Sequence, residues 1–233
     1  MNELPSRGQF TVTFPMGLLL RHYDGEKVGQ LNRDLFKLIL KLEADTCVSK
    51  KGTATQGGFH TEPTFVNRKD AVVTRFREKV LIPGVQQYMV NYYRLQGVPP
   101  VELTPDKLTI QGWGNVMRSG EWNAPHNHIT AHFRLSAVYY LQTPNNCPSP
   151  EGALQLENPN QISVQHGAYG NAKIYPREGD LVIFPCYQVH FSHPFSVPGE
   201  RILIASDIRV HDQFDQITPN SYNTMYISSA GAK

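Results

Sequence analysis

The stretch PREGDLVIFPCYQVHFSHPF, residues 176–195, shows how the second half of this chain is built. A turn at residues 178–180 leads into four consecutive apolar residues, LVIF, and Pro185 ends that run. A short apolar run bounded by turn residues is typical of a buried strand. Because His190 opens the next run, this stretch predicts two strands joined by a short connection.

The same pattern extends in both directions from this stretch. Short runs rich in β-branched and aromatic residues alternate with turn signals, and together they predict six or more strands in a β-sandwich or barrel. The further runs are KLTIQGWGNVM (107–117), RLSAVYYLQTP (134–144), GALQLENP (152–159) and RILIASDIRV (201–210).

The first half of the chain has a helical pattern instead. In residues 29–45, leucine and isoleucine recur at steps of three and four residues, which predicts an amphipathic helix. A second helix is expected over residues 67–80 with Asn67 as its N-cap, and a third over 84–97 after an interruption at Pro83. We expect these helices to support one outer face of the sheet.

These patterns divide the chain into three regions. Residues 1–104 form a helical support within the same domain, residues 105–211 form the β core, and residues 212–233 form a tail or an arm. The sequence carries no signal for an oligomeric state.

Composition narrows the classes of protein. The formal charge is only +2, with scattered basic residues, so no nucleic-acid partner is expected. The N-terminus lacks a signal-peptide pattern and the run at 14–20 is too short to span a bilayer, so no membrane partner is expected. Cys47, Cys147 and Cys186 are odd in number and widely spaced, which indicates free thiols in a reducing compartment, hence the cytoplasm.

Histidines in EWNAPHNHITAHF, residues 121–133, raise the question of a metal site. On an extended segment the side chains of His126 and His128 point to the same face, where two imidazoles can hold a divalent metal if a third group approaches. In a jelly roll, His190 would lie across the barrel mouth and could be that group. The alternative is a chance pair in a chain with nine histidines.

Arg201 opens the apolar strand ILIA. An arginine that points into an apolar barrel is costly unless it meets an anion, and its planar guanidinium suits a carboxylate. The alternative is a salt bridge to an acidic side chain of the protein.

The order of these residues resembles that in the Fe(II)/2-oxoglutarate-dependent oxygenases. The chain looks most like the small 2-oxoglutarate oxygenases of bacteria and phages. The resemblance spans about residues 10–210 and rests on SKKGTATQGGFH, WGN, HNH, LSAVYYLQTP, GALQLENP, GDLVIFPCYQVH and GER in that order.

The resemblance implies a double-stranded β-helix, or jelly roll, buttressed by about three helices. It also implies Fe(II) as cofactor and 2-oxoglutarate as cosubstrate. The expected activity is that of a dioxygenase that hydroxylates a small molecule or an amino-acid side chain and releases succinate and CO2.

One position departs from the family pattern, because His128 stands where the family's HxD/E motif has a carboxylate. Three solutions are open: a site of His126, His128 and His190; a carboxylate brought in by Glu121 or Glu157; or two histidines with water completing the set. The shared face of His126 and His128 favours the first.

The resemblance also implies that Arg201 holds the far carboxylate of 2-oxoglutarate, with a hydroxyl from Tyr139 or Tyr140. Successive strand residues face opposite sides, so only one of the two tyrosines can point inward. Other residues expected to line the pocket, with core packing as the alternative, are Trp113, Asn115, Trp122 and His132.

Two rival classes remain at this stage. A cupin also uses three histidines, but it normally adds a glutamate soon after HxH, and residues 129–137 contain none. The other rival is a non-catalytic jelly-roll binding module with buried histidines.

Overall fold

Residues 17–46, 54–129, 132–212 and 215 are described by a computed structural model. Within them, helices precede most of the strands along the chain. The helices are α1 (Glu26–Asp45), α2 (Ala71–Phe76) and α3 (Ile82–Leu95). The strands are β1 (Leu19–His22), β2 (Thr55–Gln56), β3 (Phe59–His60), β4 (Leu108–Met117), β5 (Trp122–Asn123), β6 (Leu135–Gln142), β7 (Leu154–Glu157), β8 (Asn171–Ile174), β9 (Asp180–Pro185), β10 (His190–Ser192) and β11 (Arg201–Val210).

Two antiparallel sheets face each other. The larger has the strand order β1-β9-β6-β11-β4-β3, and the smaller has the order β10-β7-β8. Apolar residues of both sheets pack together between them, among them Tyr140 and Phe184 from the larger sheet and Leu154 and Leu156 from the smaller. This arrangement confirms the predicted jelly roll.

The helices cover the opposite face of the larger sheet. In α1, Leu31, Leu35 and Ile39 are almost fully buried, and their spacing places them on one stripe of the helix. They share a core with inward-facing residues of the sheet such as Ile202 and Ile204. The predicted helix at 29–45 is thus confirmed, with its start three residues earlier at Glu26.

The second and third helices differ from the prediction, because they form one continuous helical run. Asn67 ends a separate 3-10 turn and its side chain donates to the carbonyl of Ile110, so it does not cap a helix. Between α2 and α3 lies a π-helical turn, in which the N–H of Ile82 bonds to the carbonyl of Arg77 five residues earlier. Pro83 falls in the first turn of α3, a position that tolerates a missing N–H, so it does not break the run.

Strands β1 and β8 were missed by the sequence pattern, as were the two-residue strands β2, β3 and β5. β1 and β3 form the two edges of the larger sheet, and β2 pairs with β5, so the region before residue 105 supplies strands as well as helices. β1 and β8 have four residues each, the other three have two, and β8 is largely exposed, which leaves too little periodicity to detect. The boundaries at residues 104 and 211 stay predictions.

Two expectations from composition concern membranes and thiols. None of the helices among the described residues has the length and apolar character needed to cross a bilayer. Cys147 and Cys186 are free thiols. Cys47 and most of the predicted tail at 212–233 lie outside the described residues.

Candidate metal centre

Backbone pairing brings the three histidines together. His126 follows β5 and forms an isolated antiparallel bridge with His190 of β10. The N–H of His126 donates to the carbonyl of His190 at 3.0 Å, and the N–H of His190 donates back at 2.9 Å. The N–H of His128 donates to the carbonyl of Cys186 at 2.8 Å, at the end of β9. The HxH segment is therefore held across the ends of two strands, one from each sheet.

The three imidazole rings form one cluster. A ligand atom from each of His126, His128 and His190 lies within 4.8 Å of the others. The ring centroids of His126 and His190 are 4.3 Å apart, and those of His128 and His190 are 5.2 Å apart. This spacing allows one metal ion to reach a nitrogen of all three rings.

Hydrogen bonds decide which nitrogen of each ring is available. Nδ1 of His126 lies 2.6 Å from the carbonyl oxygen of Ala124, and Nδ1 of His190 lies 2.9 Å from that of Gln188. Nδ1 of His128 lies 2.9 Å from Oδ2 of Asp207. All three partners are acceptors, so each Nδ1 carries the proton and donates it. Each Nε2 is left with its lone pair free, which is the state that a metal ligand needs.

Burial keeps the rings of His126 and His190 neutral. It lowers the pKa of His190 to about 3, an effect that the neighbouring His126 reinforces. Burial also lowers the pKa of His126, because the charged form loses its hydration. Neutral imidazoles can bind a metal at physiological pH without first losing a proton.

A cavity of about 470 Å³ opens between the two sheets beside the cluster. The three histidines lie in its wall, and Trp113 stacks on His128 with 5.9 Å between ring centroids. A cavity of this size accommodates a small organic ligand. Other residues in the wall include Thr55, His60, Asn115, Tyr140, Ser192 and Asp207.

Arg201 is buried at the start of β11, with 1% of its surface exposed. Its Nη2 donates to Oγ of Ser192 at 2.8 Å and lies 2.9 Å from Sδ of Met117, whereas its Nε has no partner. Nη1 makes only long contacts to two backbone carbonyls, of Gly152 and His193. Burial lowers the pKa of this guanidinium.

Among the described residues no carboxylate forms an ion pair with Arg201, although several other arginines do have one. A buried guanidinium without a counter-ion is costly, so the site fits an anionic ligand. Arg201 is not itself in the cavity wall, but Ser192, to which it donates, is. The structure therefore places the guanidinium one side chain behind the wall.

The two tyrosines of β6 face opposite sides of the sheet, as the alternation requires. Tyr140 lies in the cavity wall and is packed in the core between the sheets. Tyr139 packs with the helices instead, and its hydroxyl donates to Oδ1 of Asn32 in α1 at 2.8 Å. Tyr139 is thus removed from the candidates for cosubstrate binding.

Two of the four predicted pocket residues are in place. Trp113 and Asn115 line the cavity from β4. Trp122 is not in the cavity wall, whereas its neighbour Asn123 on the same short strand is. His132 lies in an exposed turn with φ of 66°, after the chain has left the cluster.

The carboxylates considered as ligands have other partners. Glu121 accepts the backbone N–H of Arg118 at 2.7 Å, and Oε1 of Glu157 accepts from Gln155 at 2.7 Å. Within the described part of the chain, the metal-competent group that contains the HxH pair consists of three histidines. Similarly, Nε2 of His193 is bonded to Gln155 and lies outside the group.

Asp207 is a residue of the candidate site that sequence reasoning missed. It is 5% exposed, and its carboxylate contacts both His128 and the hydroxyl of Ser136. One signal was present: an acid six residues after Arg201 on an apolar strand lies on the same face as that arginine.

His60 belongs to a second polar group in the cavity wall. Its Nε2 lies 2.6 Å from Oγ1 of Thr55 and 2.5 Å from Nδ2 of Asn115, and its ring stacks on Trp113. Burial, followed by the nearby His126, lowers the pKa of His60 to about 4.

This shift predicts a pH dependence of stability in the metal-free protein. Between the unfolded pKa of about 6.5 and the folded pKa, only the unfolded chain binds a proton at His60, so the free energy of unfolding falls as the pH falls. The slope due to this residue is at most about 1.4 kcal/mol per pH unit. Measured by chemical denaturation from pH 7 to 4.5, the free energy of unfolding should fall less steeply for His60→Gln than for the wild type. Since the two proteins share all other titrating groups, equal slopes would contradict the assignment.

Comparisons with known proteins agree with this geometry. Residues 111–207 match the family described as "Putative 2OG-Fe(II) oxygenase". No curated protein matches the chain significantly. Among solved structures, a Pseudomonas putida prolyl-4-hydroxylase is similar with 16% identity and a TM-score of 0.55, over 84% of this chain and 93% of that one.

Two further solved structures are similar. A Trichoplax adhaerens prolyl hydroxylase, in complex with a hypoxia inducible factor peptide fragment, has 14% identity and a TM-score of 0.57 over 83% of this chain and 84% of that one. HygX from Streptomyces hygroscopicus, with nickel and 2-oxoglutarate bound, has 13% identity and a TM-score of 0.55 over 84% of this chain and 83% of that one. At these identities the likeness shows a common fold.

The fold and the imidazole cluster define a jelly-roll protein with a site suited to a metal ion. The matched segment, residues 111–207, contains the three histidines and Arg201, and over this segment the chain is similar to the Fe(II)/2-oxoglutarate-dependent oxygenases. The match and the fold support an enzyme of that class, with Fe(II) as cofactor and 2-oxoglutarate as cosubstrate.

Proposed function

We propose that His126, His128 and His190 bind the Fe(II) ion through Nε2 and that the enzyme hydroxylates a small molecule or an amino-acid side chain. One observation carries the assignment of ligands: all three Nδ1 atoms are bonded to acceptors, which leaves three convergent Nε2 lone pairs. When bound, Fe(II) supplies the activation of dioxygen that is coupled to oxidative decarboxylation of the cosubstrate.

Arg201 is the proposed anchor of the cosubstrate. It provides a buried positive charge, an unpaired Nε–H and a weakly held Nη1. A carboxylate that reaches these groups would gain charge-assisted hydrogen bonds and would relieve the cost of the buried charge. Because the guanidinium lies behind Ser192, either this serine shifts or the carboxylate enters between it and Tyr140.

Tyr140 is the proposed second contact to that carboxylate. Burial raises the pKa of its hydroxyl well above the ordinary value, so the group stays protonated and can donate to an anion. Its position in the cavity wall beside the charge of Arg201 supports this role.

The rest of the cavity would hold the substrate. Its wall combines apolar surface from Trp113 and Phe191 with the polar group of Thr55, His60 and Asn115. Such a wall favours a substrate with both apolar and hydrogen-bonding parts. Two similar structures are named prolyl hydroxylases, and HygX is also described with hygromycin B bound, which supports keeping both an amino-acid side chain and a small molecule in the proposal. The free thiols of Cys147 and Cys186 support a proposed cytoplasmic location.

The assignment is tested with the purified protein under anaerobic conditions. Fe(II) is added first and 2-oxoglutarate second, and the visible spectrum is followed for the weak charge-transfer band of the iron-bound keto acid. We expect a band that saturates at one equivalent of iron. Zn(II)-loaded protein serves as the control, because a d¹⁰ ion gives no such band. Iron binding without a band would favour the cupin alternative, and absence of iron binding would favour a non-catalytic module.

A further inference from the structure

We infer that Asp207 provides, through His128, the negative charge that a carboxylate ligand provides in 2-His-1-carboxylate iron sites. The inference rests on the proposed three-histidine centre. It assigns Asp207 the role of a positioning and charge-supplying residue that does not touch the metal itself.

The contact between the two side chains is well defined. Oδ2 of Asp207 accepts from Nδ1 of His128 at 2.9 Å, and Oδ1 accepts the hydroxyl of Ser136 at 3.1 Å. With both oxygens engaged, the carboxylate has a fixed orientation. Asp207 and Ser136 are also directly paired across β11 and β6, so the backbone register holds this arrangement in place.

His128 differs from the other two histidines in this respect. Nδ1 of His126 and Nδ1 of His190 donate to neutral backbone carbonyls, of Ala124 and Gln188. His128 alone of the three donates to a charged acceptor. His128 is also the residue that stands where the family's motif has a carboxylate. The negative charge that this carboxylate would carry is instead on Asp207, which is hydrogen-bonded to His128.

The charge on Asp207 needs a compensating cation. Among the described residues, no lysine or arginine forms an ion pair with Asp207. The basic side chain that its carboxylate contacts is His128, which is a member of the histidine cluster. A buried carboxylate in this situation is costly, and a divalent ion on the far side of the imidazole would offset that cost.

The charges of the complete site then agree with those of the common iron site. Three neutral imidazoles would leave the site with the full +2 of the metal, whereas two imidazoles and a carboxylate leave about +1. Asp207 brings the three-histidine site to the same total. A carboxylate that accepts from a ligating histidine also makes that ring a stronger base and fixes its orientation.

The variant Asp207→Asn removes the charge and keeps the size and one acceptor oxygen. We expect its affinity for Fe(II), measured anaerobically by competition with a chromophoric chelator, to fall about 10- to 100-fold. Asp180→Asn is the matched control, because Asp180 is 3% exposed and lies 2.8 Å from Nδ1 of His22, but is not in the cluster. The control should keep the wild-type affinity. Thermal unfolding of both metal-free variants shows whether they fold.

The double variant His128→Asp/Asp207→Asn separates charge from positioning. It moves the carboxylate onto the ligand position, so we expect it to bind Fe(II) more tightly than Asp207→Asn alone. If the double variant binds no better, the effect of Asp207 is positional and the inference about charge is wrong. If Asp207→Asn binds like the wild type, the inference falls while the three-histidine centre stands. If the wild type binds no Fe(II), the proposed centre and the inference both fall.

Discussion

Replacement of His190 by alanine should lower the affinity for Fe(II) by about 100-fold or more, since loss of a ligand costs more than loss of the hydrogen-bond partner of a ligand. His190 is central to the cluster: it is 6% exposed and is bridged through its backbone to His126. The charge-transfer band of the complex with 2-oxoglutarate should disappear, and succinate formation should stop. Anaerobic metal titration and a succinate assay measure these effects independently.

Loss of packing must be separated from loss of the ligand. His190 contacts Phe184 edge-on with 4.7 Å between ring centroids, so alanine also leaves a gap in the core. His190→Gln fills more of this space and should still bind iron poorly. His193→Ala is the matched control, because His193 lies three residues further along and bonds to Gln155 away from the cluster. An equal loss of iron binding in His190→Ala and His193→Ala would contradict the assignment. Wild-type iron binding in His190→Ala would contradict it as well.

Replacement of Arg201 by methionine should weaken binding of 2-oxoglutarate by at least about 30-fold while Fe(II) remains bound. Truncation of one partner of a buried, hydrogen-bonded charge pair costs about 2–5 kcal/mol, and methionine keeps much of the volume. The dissociation constant follows from titration of the charge-transfer band in the iron-loaded protein.

The stability of the metal-free protein gives a second measurement for Arg201. In the absence of an anion the guanidinium is buried without a carboxylate partner among the described residues, so removing it should not lower the melting temperature greatly. Arg209→Met is the control on the same strand, because Arg209 pairs with Asp215 at 2.7 Å. If 2-oxoglutarate still binds Arg201→Met with wild-type affinity, the cosubstrate is anchored elsewhere and the cupin alternative gains support.

Much of the fold could be predicted because the spacing of apolar residues along the chain matches the positions that face the core. The run RILIASDIRV corresponds to β11, residue for residue, and the predicted helix at 29–45 differs from α1 only at its start. The continuous helix through Pro83 could not be predicted, since the π-helical turn before it is an adjustment of the backbone that no residue pattern marks. Strand β1 owes its conformation to pairing with β9, about 160 residues away in sequence.

By itself, the sequence determined which residues are candidates for the metal and cosubstrate site: HxH, a distant histidine and an arginine at the start of an apolar strand, in an order that resembles one superfamily. Only the tertiary structure decided where these residues lie and which partners they have. It selected Tyr140 over Tyr139 through the face of β6, left Glu121 and Glu157 with other partners, and placed Asp207 against His128. The reason is physical: alternation along a strand is local, whereas the partner of a buried charge depends on strands that meet only after folding.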